Sequence, residues 1–192
     1  MNFMEQNPWQ ILRSELKYDN PWISLTEHQV LNPNGGEGIY GVVHFKNRAI
    51  GVLAIDAEDH IYLVGQYRFP LDQYSWEIPE GGGPVEETDP LESAQRELLE
   101  ETGLKAAHWE KMQTLHLSNS VSDEYGIIYL ATGLSQHEAD PEETEQLAVK
   151  RVPFETAYEM VEKGEITDSL TMVAILKMKV RKMMEDNERM KR

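Results

Sequence analysis

Apolar and polar residues alternate partially through 9–18, "WQILRSELKY", and again through 22–31, "WISLTEHQVL", with "DNP" between them. Strand side chains alternate between two faces, so this pattern predicts a hairpin. "NPNGGEG" is the next turn. Strands are expected at 39–45 ("IYGVVHF") and 49–55 ("AIGVLAI"), and after the turn "DAEDH" at 61–69 ("IYLVGQYRF"). "WEKMQTLHL", "YGIIYLATGL" and "LAVKRV" read as later strands.

Helical signals are fewer. Asp89 suits an N-cap, Pro90 the first helical position and Gly103 a C-cap, which predicts a helix over 90–102. The stretch before it, "GGGPVEETDP", reads as a glycine-rich loop, and "SQHEADPEETEQ" as an acidic loop or short helix. "PFETAYEMVEKG" predicts a short helix ended by Gly164, and a long helix follows, capped by Asp168. Strands dominate the first half and one helix interrupts them. That order predicts a mixed α/β (α+β) sandwich, not a regularly alternating one. Residues 1–45 are expected as a small N-terminal β subdomain and 46–192 as the main domain.

Composition narrows the class. The chain has 192 residues, 40% of them hydrophobic, enough for a real core. Its formal charge is −16, from 34 acidic and 18 basic residues. A field of that sign disfavours nucleic acid and anionic membrane as partners, yet an anionic substrate stays open where divalent cations invert the local charge. Without cysteine there is no disulfide framework, thiolate zinc site or cysteine nucleophile. No apolar run approaches a membrane span, and "MNFMEQNPWQ" lacks a secretory pattern. A cytoplasmic protein is the expectation.

The predicted helix carries an electrostatic problem. An advance of about 100° per residue puts Glu97, Glu100 and Glu101 on one exposed face, and Leu91, Ala94 and Leu98 on a different stripe suited to the core. Clustered carboxylates repel one another unless something pairs with them. A hard divalent cation such as Mg²⁺ prefers oxygen ligands and often bridges carboxylates to substrate phosphates. Arg96 is placed to hold a neighbouring carboxylate in orientation. Taken alone, "RELLEE" is more simply a solvated acidic face; its surroundings decide otherwise.

"GGGPVEETDPLESAQRELLEETGL", residues 81–104, resembles the Nudix box, G-x(5)-E-x(7)-R-E-U-x-E-E-x-G-U, where U is a bulky aliphatic. Gly81, Glu87, Arg96, Glu97, Leu98, Glu100, Glu101, Gly103 and Leu104 match. The chain departs from the pattern once: the spacer between Glu87 and Arg96 is one residue longer than x(7). An inserted residue near Thr88 accounts for this; counting from Gly82 instead would put Thr88 at the acidic position. The resemblance implies an α/β/α sandwich around a mixed sheet and hydrolysis of a nucleoside diphosphate linked to another moiety. It implies Mg²⁺ or Mn²⁺ at Glu97, Glu100 and Glu101, with Gly81 bringing backbone close to metal or phosphate.

Other segments resemble the branch that cleaves ADP-ribose and nucleoside diphosphate sugars. "VGQYRFP" with "WEIPEGG" is similar to that branch's block before the box, which implies that Arg68 contacts a substrate phosphate. "LSNSVSDEYG" occupies the place of a loop whose final acid, here Glu124, meets the substrate or a metal-bound water, although the loop's usual Pro-Gly pair is absent. "PEETEQLAV" is similar to the loop carrying the general base, with Glu143 the first choice and Glu145 the second. The branch has an N-terminal sheet exchanged within a homodimer, whose aromatics sandwich the base. Trp22 and Tyr40 are the candidates here, ahead of Trp9, although core or dimer packing accounts for each taken singly. The resemblance implies that ADP-ribose or a related nucleoside diphosphate sugar yields a nucleoside monophosphate and a sugar phosphate. The rival readings are another Nudix substrate, GDP-mannose or a dinucleotide polyphosphate, and a non-catalytic nucleotide-binding module.

Overall fold

The computed structural model describes residues 6–86, 88–139 and 147–191. They fall into two compact units, Met1–Arg48 with His116–Tyr125, and Ala49–Leu115 with Gly126–Arg192.

The first unit is an antiparallel sheet of β1 (Gln10–Asp19), β2 (Ile23–Leu31) and β3 (Glu37–Phe45), in that order. The expected hairpin is β1–β2, its register running from Gln10↔Leu31 to Asp19↔Ser24 with two irregularities. Asn20 builds the turn by accepting the N–H groups of Trp22 and Ile23 through Oδ1. In the next turn Asn32 Oδ1 accepts from Asn34 and Gly36, and Gly35 takes φ +81°, where glycine is at ease. Every residue of β1 is exposed, including Ile11, Leu12, Leu16 and Tyr18.

The second unit holds most of the core. β4 (Asn47–Ala54) lies parallel to β9 (Tyr125–Gln136) in a four-stranded sheet of order β7-β4-β9-β8, with β7 at Glu80–Pro84 and β8 at Leu104–His116. Strands buried on both faces read as continuous apolar runs, as "AIGVLA" does. A second sheet, β10-β5-β6, is antiparallel throughout; it uses β5 (His60–Arg68), β6 (Gln73–Glu77) and β10 (Ala148–Pro153). Three α-helices appear among the described residues: α1 (Pro90–Thr102), α2 (Phe154–Glu162) and α3 (Ser169–Met190). Ile50, Leu53, Ile61, Leu63, Ile78, Leu98, Ile128, Phe154 and Ile175 are fully buried between these elements. The mixed α+β class expected from the sequence is the observed one. None of the described helices is long and apolar enough to cross a membrane.

Two expectations need correction. The stretch expected as a glycine-rich loop begins as a strand, because Glu80–Pro84 pairs at the edge of the four-stranded sheet. Glycine and proline are poor strand formers, so propensity points elsewhere; tertiary pairing overrides it. The carboxylate face of α1 is also mostly withdrawn from solvent, with only Glu100 partly exposed. Glu97 is 7% and Glu101 3% accessible, because α1 packs its acidic side against β7.

Candidate active site

Local sequence fixes the phase of α1. Asp89 accepts the Leu91 N–H at 3.1 Å, Pro90 opens the helix, and Gly103 closes it at φ +70° with its N–H on the Leu99 carbonyl at 2.8 Å. With both ends set, Ala94 and Leu98 enter the core completely, and Glu97 and Glu101 turn towards β7. Glycine is required at the closest approach. A Cβ at Gly81 would stand 2.2 Å from Cδ of Glu97, far inside contact distance. One residue earlier, the backbone N–H of Glu80 donates to Glu101 Oε2 at 3.0 Å.

Arg96 ties the acids together. Its Nη1 donates to Glu100 Oε2 at 2.7 Å; Nη2 donates to Glu97 Oε1 at 2.6 Å and to the Gly82 carbonyl at 3.0 Å. Burial works against the guanidinium charge, but Glu97 and Glu100 outweigh it and hold its pKa above the ordinary arginine value. The sequence placed Arg96 as an orienting partner, and it spans two carboxylates and the β7 backbone.

A second charged group adjoins the first. Arg68, at the end of β5, donates Nε to both carboxylate oxygens of Glu77 at 3.0 Å and Nη2 to Glu77 and to Glu80, the latter at 2.7 Å. Glu77, Glu80 and Asp168 bring carboxylate oxygens within 4.8 Å of one another. Burial, then the nearby charges of Asp168 and Glu77, push the Glu80 pKa well above the usual carboxylate range. Arg68 is itself held above its ordinary value: burial opposes its charge, and Glu77 and Glu80 prevail. Asp168 does cap α3, accepting the Thr171 N–H at 2.7 Å, but it also contributes to this acidic cluster.

Glu77 and Glu80 were not singled out from the sequence. The available signal was two acids embedded in "WEIPEGG", beside isoleucine and proline, where a solvated acidic face is a poor account.

The other expected site residues divide in two. Trp22, Tyr40 and Glu124 belong to the first unit. Trp22 is 67% exposed. Tyr40 donates its hydroxyl to the Ser120 carbonyl at 2.7 Å and meets Trp9 edge-to-face, with ring centroids 5.3 Å apart. A cleft of about 230 Å³ beside them is lined by Trp9, Ile11, His28 and Tyr40, so Trp9 and not Trp22 shares a surface with Tyr40. The Glu124 carbonyl accepts the Leu117 N–H at 3.3 Å. Glu87, Glu143 and Glu145 lie outside the described residues.

Hard carboxylate oxygens of the buried Glu97 and Glu101 and the partly exposed Glu100, with backbone admitted only by a missing Cβ, are donors that fit a divalent cation of the Mg²⁺ type. Next to them stands an arginine with part of its guanidinium uncommitted, a group suited to phosphate.

Comparisons with known proteins bear on the same regions. Residues 45–171 match the family described as NUDIX domain. Residues 9–43 match the one described as Nucleoside diphosphate sugar hydrolase N-terminal domain. An ADP-ribose pyrophosphatase of Mycobacterium tuberculosis (strain ATCC 25618 / H37Rv) is 33% identical over 177 residues, covering 90% of this chain and 84% of the relative. An ADP-ribose pyrophosphatase of Bacillus subtilis (strain 168) is 35% identical over 155 residues, covering 80% and 83%. Among solved structures, one titled as an ADP compounds hydrolase superposes with TM-score 0.81 over 96% of this chain and 98% of its own, at 20% identity, a likeness of fold. With a domain match across most of its length, and the box residues gathered around α1 and β7, the chain belongs to the Nudix family.

Proposed function

We propose that this Nudix protein is a metal-dependent pyrophosphatase that cleaves ADP-ribose or a related nucleoside diphosphate sugar into a nucleoside monophosphate and a sugar phosphate. The observation that carries the reading is a continuous contact path. Arg68 bonds Glu80, and the backbone of Glu80 bonds Glu101, so a phosphate-type arginine and the acidic face of α1 flank one short segment. The relatives at 33% and 35% identity, each covered over most of its length, direct the choice of substrate.

The chemistry follows from charge. A diphosphate resists attack because its negative oxygens repel the nucleophile. Glu97, Glu100 and Glu101, with the Gly81 segment beside them, would hold Mg²⁺ or Mn²⁺, which would supply neutralisation of that charge and lower the pKa of water at the site. Arg96 keeps Glu97 and Glu100 aimed. Arg68 receives the diphosphate oxygens. Glu143, or Glu145 in its place, takes the proton from water as its oxygen attacks one phosphorus in line; the other phosphate leaves with the bridging oxygen. Glu124 and Glu87 complete the contacts to substrate. For ADP-ribose the products are AMP and ribose 5-phosphate.

The N-terminal unit has the surface for two further tasks. Trp9 and Tyr40 present aromatic walls on which a planar base stacks, with Trp22 a further exposed indole. Its exposed apolar residues, Ile11 and Leu16 on one face of the sheet and Tyr18 and Ile39 on the other, favour a homodimer built on residues 1–45. The main domain is residues 46–192, and the location is cytoplasmic.

A substrate panel tests the reading: ADP-ribose, GDP-mannose and a dinucleotide polyphosphate, each with Mg²⁺ or Mn²⁺, with products identified by chromatography. AMP and ribose 5-phosphate in equal amounts are expected. Faster turnover of GDP-mannose or the dinucleotide would move the substrate assignment. Binding without hydrolysis of any of them would make the protein a nucleotide-binding module.

A further inference from the structure

Arg68 does not choose its own orientation. β5 and β6 pair with Val64 opposite Glu77 and Arg68 opposite Gln73, so Arg68 and Glu77 lie on one face of the pair, and the guanidinium reaches back along it. The segment it reaches is tethered on three sides. Ile78 N–H donates to Thr171 Oγ1 at 2.9 Å, Val52 N–H to the Pro79 carbonyl at 2.8 Å, and Glu80 N–H to Glu101 Oε2 at 3.0 Å. Thr171 is fully buried and Glu77 almost so. Glu77 is therefore fixed by the fold, and the longer, partly exposed arginine conforms to it.

Stability alone does not explain the arrangement. A buried ion pair repays its desolvation poorly, and here two carboxylates share one guanidinium with a third, Asp168, close to both. Glu80 Oε2 is buried with no hydrogen-bond partner. What the arrangement does secure is direction. Nε and Nη2 are spent on Glu77 and Glu80, and Nη1 has no hydrogen-bond partner among the described residues, on a side chain that is 34% exposed.

We propose that Glu77, seconded by Glu80, is a positioning residue that holds Arg68 with its Nη1 edge presented to the diphosphate of the substrate. The inference rests on the pyrophosphatase reading above. Fixing the fork in advance removes the rotamer entropy a free arginine would lose on binding, and it aims donors that would otherwise swing. Because the clamp grips the diphosphate before and during the reaction, loosening it raises KM more than it lowers kcat.

A double-mutant cycle on ADP-ribose hydrolysis tests this, using Glu77→Gln, Arg68→Lys and the pair, with each variant's Tm measured alongside. Each single change is expected to raise KM about tenfold, the scale of losing an orienting outer partner, with kcat within about twofold. The double variant should be no worse than the worse single one, since a lysine offers Glu77 no fork to align. A Glu77→Gln enzyme with normal KM beside an impaired Arg68→Lys enzyme overturns the positioning role and leaves the pyrophosphatase reading standing. So does a Glu77→Gln effect that persists in full in the Arg68→Lys background, because that is the mark of a purely structural residue. Normal KM in Arg68→Lys overturns this inference and leaves the pyrophosphatase reading standing; no turnover of ADP-ribose in the unaltered protein removes that reading and this inference together. If Glu77→Gln does not fold, Glu80→Gln removes only the second arm. The same KM-selective loss is then expected, and an unchanged KM overturns the proposal.

Discussion

Glu101 accepts the backbone N–H of Glu80 through Oε2 at 3.0 Å, and the side chain of Glu80 takes Nη2 of Arg68 at 2.7 Å. One acidic residue of the helix thus fixes the segment on which Arg68 rests. Glutamine at 101 keeps an oxygen for the Glu80 N–H and loses the charge a cation needs. Glu101→Gln should therefore fold with a Tm near that of the unaltered protein and lose at least about 100-fold in kcat, the several kcal/mol of charge stabilisation that a metal supplies. Steady-state kinetics with Mn²⁺ and Mg²⁺, beside a thermal melt, checks it. Near-normal metal-dependent turnover would remove Glu101 from the metal set.

The proton acceptor is the next target. Glu143→Gln should lower kcat by about 10²–10⁴, the usual contribution of a general base, with KM changed little. Glu145→Gln serves as the comparison. A normal kcat in the first and a collapsed kcat in the second would transfer the role to Glu145. Raising pH should not rescue the affected variant, since glutamine has no proton-accepting group to recover.

Much of α1 was legible because its signals are local. Asp89, Pro90 and Gly103 mark the ends within a few residues, and the observed helix spans Pro90–Thr102. The burial of Glu97 and Glu101 was not legible, since it depends on β7 lying against the helix, and β7 is written in glycines that suggest a loop. Arg68 stood out through the resemblance of "VGQYRFP" to the block that precedes the box. Its holders Glu77 and Glu80 did not, because their meeting depends on the β5–β6 register. Asp168 showed only its capping role, and its approach to Glu77 and Glu80 is a contact across more than 80 residues of chain, beyond any periodicity argument. The Trp9–Tyr40 contact similarly joins the residue before β1 to β3, across β2, a meeting that no alternation pattern specifies.

Away from the site, Asp56 gives a stability prediction with a definite sign. Its carboxylate accepts the N–H groups of Glu58 at 2.9 Å and His60 at 3.1 Å, and Arg151 Nε at 2.7 Å. Burial alone would raise its pKa, but the His60, Arg151 and Glu58 hydrogen bonds outweigh it and lower the value below the usual aspartate range. A depressed folded pKa means stability that is present above the unfolded pKa of about 3.9 and lost as pH falls through the folded value. Asp56→Asn should cost about 2 kcal/mol at pH 7, the worth of a charged hydrogen bond, or roughly 4–8 °C in Tm. It should also flatten the acid limb of the Tm profile below about pH 4. An acid limb as steep as in the unaltered protein would mean that other carboxylates carry it.

Gly81 joins the fold to the chemistry most sharply. Its backbone needs no unusual angle, so the sole demand for glycine is space, and that space is occupied by the Glu97 carboxylate at 2.2 Å from where a Cβ would stand. Alanine there must push Glu97 aside or move β7 outward. Glu97 is also held by Arg96 Nη2 at 2.6 Å, and the same nitrogen holds the Gly82 carbonyl at 3.0 Å, so either movement strains the arginine that organises Glu100 as well. Overpacking of this kind costs about 1–3 kcal/mol of stability, which leaves a domain of this size folded. Turnover should suffer far more than stability. Gly81→Ala is expected to melt a few degrees lower, to need higher Mg²⁺ or Mn²⁺ for half-maximal activity, and to lose about 10–100-fold in kcat. Titrating metal at saturating ADP-ribose reads both quantities. An unshifted metal requirement together with normal kcat would show that Glu97 tolerates displacement and that β7 does not set the position of the acidic face.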